Sequence, residues 1–358
     1  MTSPRPVAQL SSLPAYVPGA RGTGDVAPVK VSSNENPAEP LPSVVEALAQ
    51  AATTINRYPD MFAVELTQRL AARHGVGAQQ VVTGSGSVGV LAHILQAFAG
   101  PGDEVVFAWR SFEAYPILTT LTGAQPVTVA LDAQARHDLT AMAAAITQRT
   151  RVVLVCTPNN PTGPVVRADE FAEFMRAVPS DVLVVLDEAY VEYVTDSTTV
   201  RGEDVLCRYD NLVVLRTFSK AYGLAGLRVG YAVGPAEVIE AVRKAVTPFS
   251  VSAVAQVAAV ASLDAQSELD ERVGHTVVQR ERVVAALAQQ GWTIPQSQGN
   301  FVWIAAGERA MELAAHLAAQ HPPVLARPFA GDGVRITIGS QADNYAVLAG
   351  LASLDWRV

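Results

Sequence analysis

The chain has 358 residues and a mass of 37.8 kDa, room for two bodies of ordinary domain size. Its 26 basic and 34 acidic residues leave a formal charge of −8 and no basic tail, which argues against a nucleic-acid backbone as partner. With 49% apolar and 17% charged residues it is built to bury a core, and two cysteines, Cys156 and Cys207, supply neither a disulfide framework nor a four-ligand zinc site.

The first twenty residues carry prolines where a secretion signal needs an apolar run, so a cytoplasmic protein is expected. From about Ser43 to Gly234, short β-branched runs alternate with helix-like stretches. Strands are predicted at 79–83, 104–108, 126–130, 151–156, 182–187, 211–217 and 229–233. Helices are predicted between them, near 62–74, 87–99, 111–121, 138–146 and 167–178. Runs such as VVLV and VLVVL are apolar throughout, as strands covered on both faces require. The expected fold class is therefore α/β, a mostly parallel central sheet sandwiched by helices. Two uncharged stretches, 77–102 and 245–263, are interrupted by polar residues, glycine or proline, and read as buried segments, not membrane spans. After about residue 264 the pattern changes. A charged helix (269–290), a strand (300–304), a helix (308–320), strands near 324–327 and 333–338 and a last helix (341–354) describe a smaller α+β domain. The expected division is an N-terminal segment (1–30) associated with the small domain and the site entrance, a large domain (31–262) and a small C-terminal one (263–358).

Chemistry-bearing residues collect just after the predicted strands, where open α/β sheets place their ligands. Lys220 follows the strand at 211–217, with Ser219 before it and Arg228 beyond two glycines. Hydroxyls, loop amides and a guanidinium together suit a phosphate, and the lysine is then available as an amine nucleophile. Spacing alone also fits a surface lysine. Asp187 ends the run VLVVLD, a costly place for a carboxylate unless it meets a cation or a strong donor; a helix N-cap fits as well. The loop PNNPTG (158–163) holds Asn159 and Asn160 at the same rim, although these are ordinary turn residues. The loop from Gly84 to Gly89 matches G-x-G-x-x-G, yet the acidic residues Asp103 and Glu104 precede the next strand instead of ending it. A phosphate cradle at a helix N-terminus, with Ser85, Gly86 and Ser87 as donors, fits better than a nicotinamide site. None of the six histidines shows a metal-binding pattern, and no metal site is expected.

Eight motifs occur in order: SSNENP (32–37), NRYPD (56–60), GSGS (84–87), PNNPTG (158–163), DEAYVEY (187–193), TFSKAYGLAGLR (217–228), QGNFVW (298–303) and ARPF with GVRITIGS (326–340). Together they resemble the fold-type I pyridoxal-phosphate aminotransferases, in the branch of histidinol-phosphate and aromatic aminotransferases. The block GDEVVFAWRSFEAYP (102–116) and TPFSVSA (247–253) are most similar to the bacterial aromatic, phenylalanine-type enzymes. The resemblance implies pyridoxal 5'-phosphate as cofactor, held covalently by Lys220, which also moves the substrate proton. It implies Asp187 at the pyridine nitrogen, Asn160 and Tyr190 at the phenolic oxygen, and Phe112 stacked on the ring, with Tyr115 as a rival aromatic contact. Ser85, Gly86, Ser87, Ser219, Arg228 and Thr217 are implied phosphate ligands. Tyr58 is implied to reach the phosphate of the neighbouring subunit, making the active unit a homodimer. Arg335 is implied to pair with the substrate carboxylate, and Arg327, Asn36 and Tyr16 to contact substrate.

The implied reaction is transamination of phenylalanine or tyrosine with 2-oxoglutarate. Histidinol phosphate is the alternative substrate, since Arg327 and Arg335 suit a phosphate as well as a carboxylate. Many histidinol-phosphate enzymes carry an acidic pair where this chain has Gly86-Ser87, which favours the aromatic reading. A threonine-phosphate decarboxylase, a nicotinamide-dependent dehydrogenase and a non-catalytic homologue stand behind these two.

Overall fold

The computed structural model describes residues 26–358 together with residues 4, 6, 7, 9, 10 and 13. Twelve strands occur among them: β1 (Val29–Lys30), β2 (Val81–Gly84), β3 (Glu104–Trp109), β4 (Gln125–Ala130), β5 (Thr150–Cys156), β6 (Leu183–Asp187), β7 (Leu212–Thr217), β8 (Gly230–Val233), β9 (Phe301–Ile304), β10 (Val324–Leu325), β11 (Arg327–Phe329) and β12 (Gly333–Thr337). Seven of them form the central sheet, in the order β2-β8-β7-β6-β5-β3-β4. All its neighbours run parallel except β8, which is antiparallel to both β2 and β7.

The continuous apolar runs are explained by what covers each face. Val105, Phe107, Val152, Leu154, Val185 and Leu215 point into one core, with Val90, Leu91, Ile94 and Leu95 of helix Gly86–Phe98 and with Ile239 and Val242 of helix Ala236–Ala245. Val106, Ala108, Val153, Val155, Val184 and Leu186 point into the other, with Phe171, Phe174 and Met175 of helix Ala168–Ala177. Alternate residues therefore feed opposite cores, which is why the runs are apolar at consecutive positions.

A separate core lies under the C-terminal elements. Helices Gln266–Gln289, Ala310–Ala318 and Gln341–Ala352 pack Val283, Leu287, Leu313, Leu317 and Leu351 against Val302, Ile304, Val334 and Ile336 of the small sheet β11-β12-β9. The strand predicted at 324–327 is two strands. Val324 and Leu325 pair in parallel with Val29 and Lys30, whereas Arg327 begins β11 and pairs with β12. Pro328 is tolerated because β11 is an edge strand. Among the described residues four helices, Pro42–Ala51, the short Gly202–Val205, Ala236–Ala245 and Ala253–Asp264, lie beyond the predicted elements; the last occupies one of the two uncharged stretches. Among the described residues no helix is long and apolar enough to cross a membrane.

Candidate active site

The parallel strands end at one rim, and the loops leaving Trp109, Cys156, Asp187 and Thr217 surround a cavity of about 280 Å³. Lys220, Asp187, Tyr190, Asn160, Phe112, Ser87, Thr217, Ser219, Arg228, Arg327 and Arg335 all line it. The sequence scatters these groups over more than 240 positions; strand order brings them together.

Asp187 is buried at the end of β6. Its Oδ2 accepts a 2.7 Å hydrogen bond from the Tyr115 hydroxyl, while Oδ1 is buried without a partner. Burial pushes its pKa up to about 6, against the opposing pull of the hydrogen bonds from Tyr115 and the Ala189 N–H. A buried acceptor left open in this way is the feature a cationic or N–H donor would satisfy. Tyr115, the rival for a stacking role, is thus a positioning residue beneath the site: it is fully buried and meets Phe112 edge-on, ring centroids 5.6 Å apart. Of the two rings, Phe112 is the one that lines the cavity.

Lys220 extends from the loop after β7, and its Nζ donates to the carbonyls of Ser33 and Asn34 at 3.3 and 3.4 Å. Burial lowers its pKa to about 7, Arg335 and Arg228 adding to the effect and Glu35 opposing it. A substantial fraction of neutral amine therefore exists near neutral pH, as a nucleophile or proton carrier needs. Tyr190 is buried beside it, and burial moves its hydroxyl up to about 12. That hydroxyl accepts a 3.0 Å bond from Asn34 Nδ2, leaving its own hydrogen for another acceptor.

At the other end of the cavity, Arg228 lies against the N-terminus of helix Gly86–Phe98. Its Nη1 donates to Ser219 Oγ at 3.3 Å, and a Cβ on Gly86 would stand only 2.4 Å from its Nη2. Gly86 has φ +74°, and at Gly230 a Cβ would meet the Ser87 N–H at 2.3 Å, so glycine at both positions keeps the helix terminus open to the rim. Ser85 is the N-cap residue but makes no side-chain cap bond, and Thr217 Oγ1 accepts from the Ser219 N–H at 3.1 Å. A guanidinium, hydroxyls and a helix N-terminus in one place form an anion cradle. Its open backbone, together with the orphaned Asp187 oxygen, fits a phosphorylated ring with a protonated nitrogen.

Arg335 stands on β12. Its Nη1 donates to Asn160 Oδ1 at 2.6 Å and its Nη2 to the Ser32 carbonyl at 2.7 Å. Arg327, on β11, donates to both carboxylate oxygens of Glu113 at 3.2 and 3.0 Å.

Other expected residues lie elsewhere. Asn36 does not line this cavity; its carboxamide bridges the Ala221 carbonyl and the Ala38 N–H, so it shapes the loop. Tyr58 is 83% exposed and stacks on Phe249, centroids 4.8 Å apart, outside the cavity of its own chain. Tyr16 lies outside the described residues. Sequence reasoning missed Asn34, which has φ 52° and joins four segments. Its N–H donates to Thr337 Oγ1 at 2.9 Å, its Oδ1 accepts from that hydroxyl, its carbonyl accepts from Asn300 and Lys220, and its Nδ2 holds Tyr190. It also missed Glu113, whose partner is 214 residues away.

The family model for aminotransferase class I and II matches residues 27–351. An aromatic amino acid aminotransferase of Streptomyces avermitilis is 54% identical over 345 residues, covering 96% of this chain and 95% of the relative. One of Thermobifida fusca is 55% identical over 340 residues, covering 95% and 94%. Among solved structures, the histidinol-phosphate aminotransferase of Sinorhizobium meliloti in complex with pyridoxal-5'-phosphate superposes with a TM-score of 0.88 at 28% identity, covering 98% of this chain and 97% of that one.

Proposed function

The chain belongs to the class I and II aminotransferase family, and from that premise we propose that it transaminates phenylalanine or tyrosine, with 2-oxoglutarate as amino acceptor and pyridoxal 5'-phosphate as cofactor. The observation that carries this reading is a single cavity lined by an amine of lowered basicity, a buried carboxylate with one unpartnered oxygen, an anion cradle and a guanidinium. The names of the two actinobacterial relatives support the aromatic side. When bound, the cofactor supplies the carbonyl that takes up the amino group and the ring that stores the electron pair released at the substrate α-carbon.

The chain's own residues do the rest. Arg228, Ser219, Ser87 and the N–H groups at Gly86 hold the cofactor phosphate, with Ser85 and Thr217 beside them. Asp187, its Oδ2 fixed by Tyr115, would keep the pyridine nitrogen protonated through the oxygen left without a partner. Asn160 and Tyr190 hydrogen-bond the phenolic oxygen, and Phe112 covers a ring face. Lys220 would hold the cofactor covalently through its Nζ, and as a neutral amine it is placed to carry a proton to and from the substrate α-carbon. Arg335, braced by Asn160 and Ser32, pairs with the substrate carboxylate through its guanidinium. Tyr58, exposed in one chain, serves the cradle of a second copy in a homodimer. In this reading residues 31–262 form the cofactor-binding domain, residues 263–358 with the segment to residue 30 form the smaller one, and the enzyme works on small molecules in the cytoplasm.

The test is a half-reaction followed through the absorbance of the bound cofactor, with phenylalanine and histidinol phosphate side by side. Phenylalanine is expected to react faster. Lys220→Ala is expected to bind the cofactor and lose turnover by at least about a thousandfold. A parent protein that leaves phenylalanine untouched, or a variant that turns over at the parental rate, overturns the proposal.

A further inference from the structure

The two guanidinia expected to meet substrate are direct neighbours across the small sheet: Arg327 on β11 pairs with Arg335 on β12 in the antiparallel register. Like charges directly opposite one another repel, so such a pair persists only where the surroundings compensate it. The compensation differs at the two positions. Arg335 donates to a carboxamide and a backbone carbonyl, which orient it without adding negative charge. Arg327 donates to both oxygens of the Glu113 carboxylate. All three side chains line the cavity that holds Lys220. Together the three carry one net positive charge, a match for one carboxylate and a mismatch for a carboxylate-free substrate bearing a phosphate dianion.

Among the described residues the Glu113 side chain is engaged by Arg327 and by no other side chain. It occupies the N-cap position of helix Ala114–Thr122 without making a side-chain cap bond, and Arg327 is its ion-pair partner. Arg110, the other cation near this wall, is engaged by Asp332, so it does not substitute for Arg327.

We propose that Glu113 is a specificity-determining residue, whose carboxylate occupies Arg327 and disfavours substrates that carry a phosphate ester where an amino acid carries its α-carboxylate. The proposal rests on the amino-acid site assigned above and deepens it: the same arginine pair becomes a phosphate subsite when the carboxylate is removed. A substrate phosphate entering the parent site meets Glu113 as a like charge in a partly dehydrated cavity, and like-charge juxtaposition is an effective means of rejecting a competing ligand.

The experiment measures equilibrium binding of L-histidinol phosphate by calorimetry to the parent loaded with pyridoxamine phosphate, the cofactor form that cannot accept an amino group, and to Glu113→Gln in the same form, with Glu113→Ser as a second neutral variant and Glu113→Asp retaining the charge. Both neutral variants are expected to bind histidinol phosphate at least about tenfold more tightly than the parent, a gain of about 1.4 kcal/mol. The aspartate variant should stay near the parental value. Where turnover is measured, the gain should appear in KM more than in kcat, and the ratio of histidinol phosphate to phenylalanine should rise. Unchanged affinity in a folded neutral variant, or equal tightening in Glu113→Asp, overturns the proposal. Binding is read independently of turnover. Failure of the parent to react with phenylalanine therefore sinks the functional assignment, and the affinities still decide the role of Glu113.

Discussion

Asp187 costs the folded chain stability until something cationic meets it. Its pKa lies at about 6 against an ordinary 3.8, burial outweighing the bonds from Tyr115 and the Ala189 N–H. A group whose folded pKa is raised contributes stability that is complete below its unfolded pKa and is lost as the pH rises through the folded one. For Asp187 the loss falls between about pH 4 and pH 6. The interval from 3.8 to 6 corresponds to about 3 kcal/mol. Asp187→Asn keeps the shape and an acceptor for Tyr115 while removing the charge. In cofactor-free protein at pH 8 the variant should therefore be more stable by about 3 kcal/mol, or roughly 4 °C in Tm for a chain of 358 residues. Near pH 4 the parent carboxyl is largely protonated and the difference should shrink to a small fraction of that. Scanning calorimetry of the stripped proteins at both pH values measures it. With pyridoxal phosphate bound the order should reverse, because the parent alone gains a charged partner for the ring nitrogen. A variant no more stable than its parent at pH 8, or a gap that is the same at pH 4, would refute the account of Asp187 as an unsatisfied buried anion.

Lys220, brought to about 7 chiefly by burial, reacts with an aldehyde only as the free amine. Recombination of stripped protein with pyridoxal phosphate, followed by absorbance, should accelerate about tenfold per pH unit below 7 and level off above it; a rate that is flat from pH 6 to 8 contradicts this. Gly86→Ala adds a Cβ 2.4 Å from Arg228 Nη2 at a residue with φ +74°. Cofactor affinity, by fluorescence titration, should weaken by about tenfold or more, since both the backbone and the guanidinium must shift. Parental affinity in that variant removes Gly86 from the cradle.

Much of the sheet was legible because its strands are short, apolar on both faces and bounded by polar loops. Asp187, Asn160 and Lys220 could be singled out for the same reason, each interrupting or following an apolar run at a strand's C-terminal end. Direction was not legible. β8 looks like any other strand, and its reversal follows from the connection after Thr217, a loop of twelve residues with no long helix to carry a parallel crossover. Helix Ala253–Asp264 escaped because it is mostly alanine and valine with no amphipathic stripe, whereas helix Ala236–Ala245 does carry one, its buried Ile239 and Val242 opposite the charged Glu237, Glu240 and Lys244. In the site, Tyr115 reads from the sequence only as a rival to Phe112 for an aromatic contact. Its bond to Asp187 joins positions 72 apart, which spacing cannot reveal. Glu113 and Asn34 failed for the same reason: their partners lie on other segments, chosen by topology.

Asn34 ties Thr337 on β12, Asn300 next to β9, Tyr190 after β6 and the amine of Lys220 into one set of hydrogen bonds. Arg335 sits two residues before Thr337 on the same strand and reaches the Ser32 carbonyl two residues before Asn34. The arm proposed to grip the carboxylate and the amine proposed to work on the α-carbon are thus fastened to the same short stretch of main chain. On that proposal, displacement at one end would be transmitted to the other with little slack, and ground-state affinity and proton transfer would be mechanically geared. Substitution at position 34 should disturb the two together, even though Asn34 itself need touch neither substrate nor product.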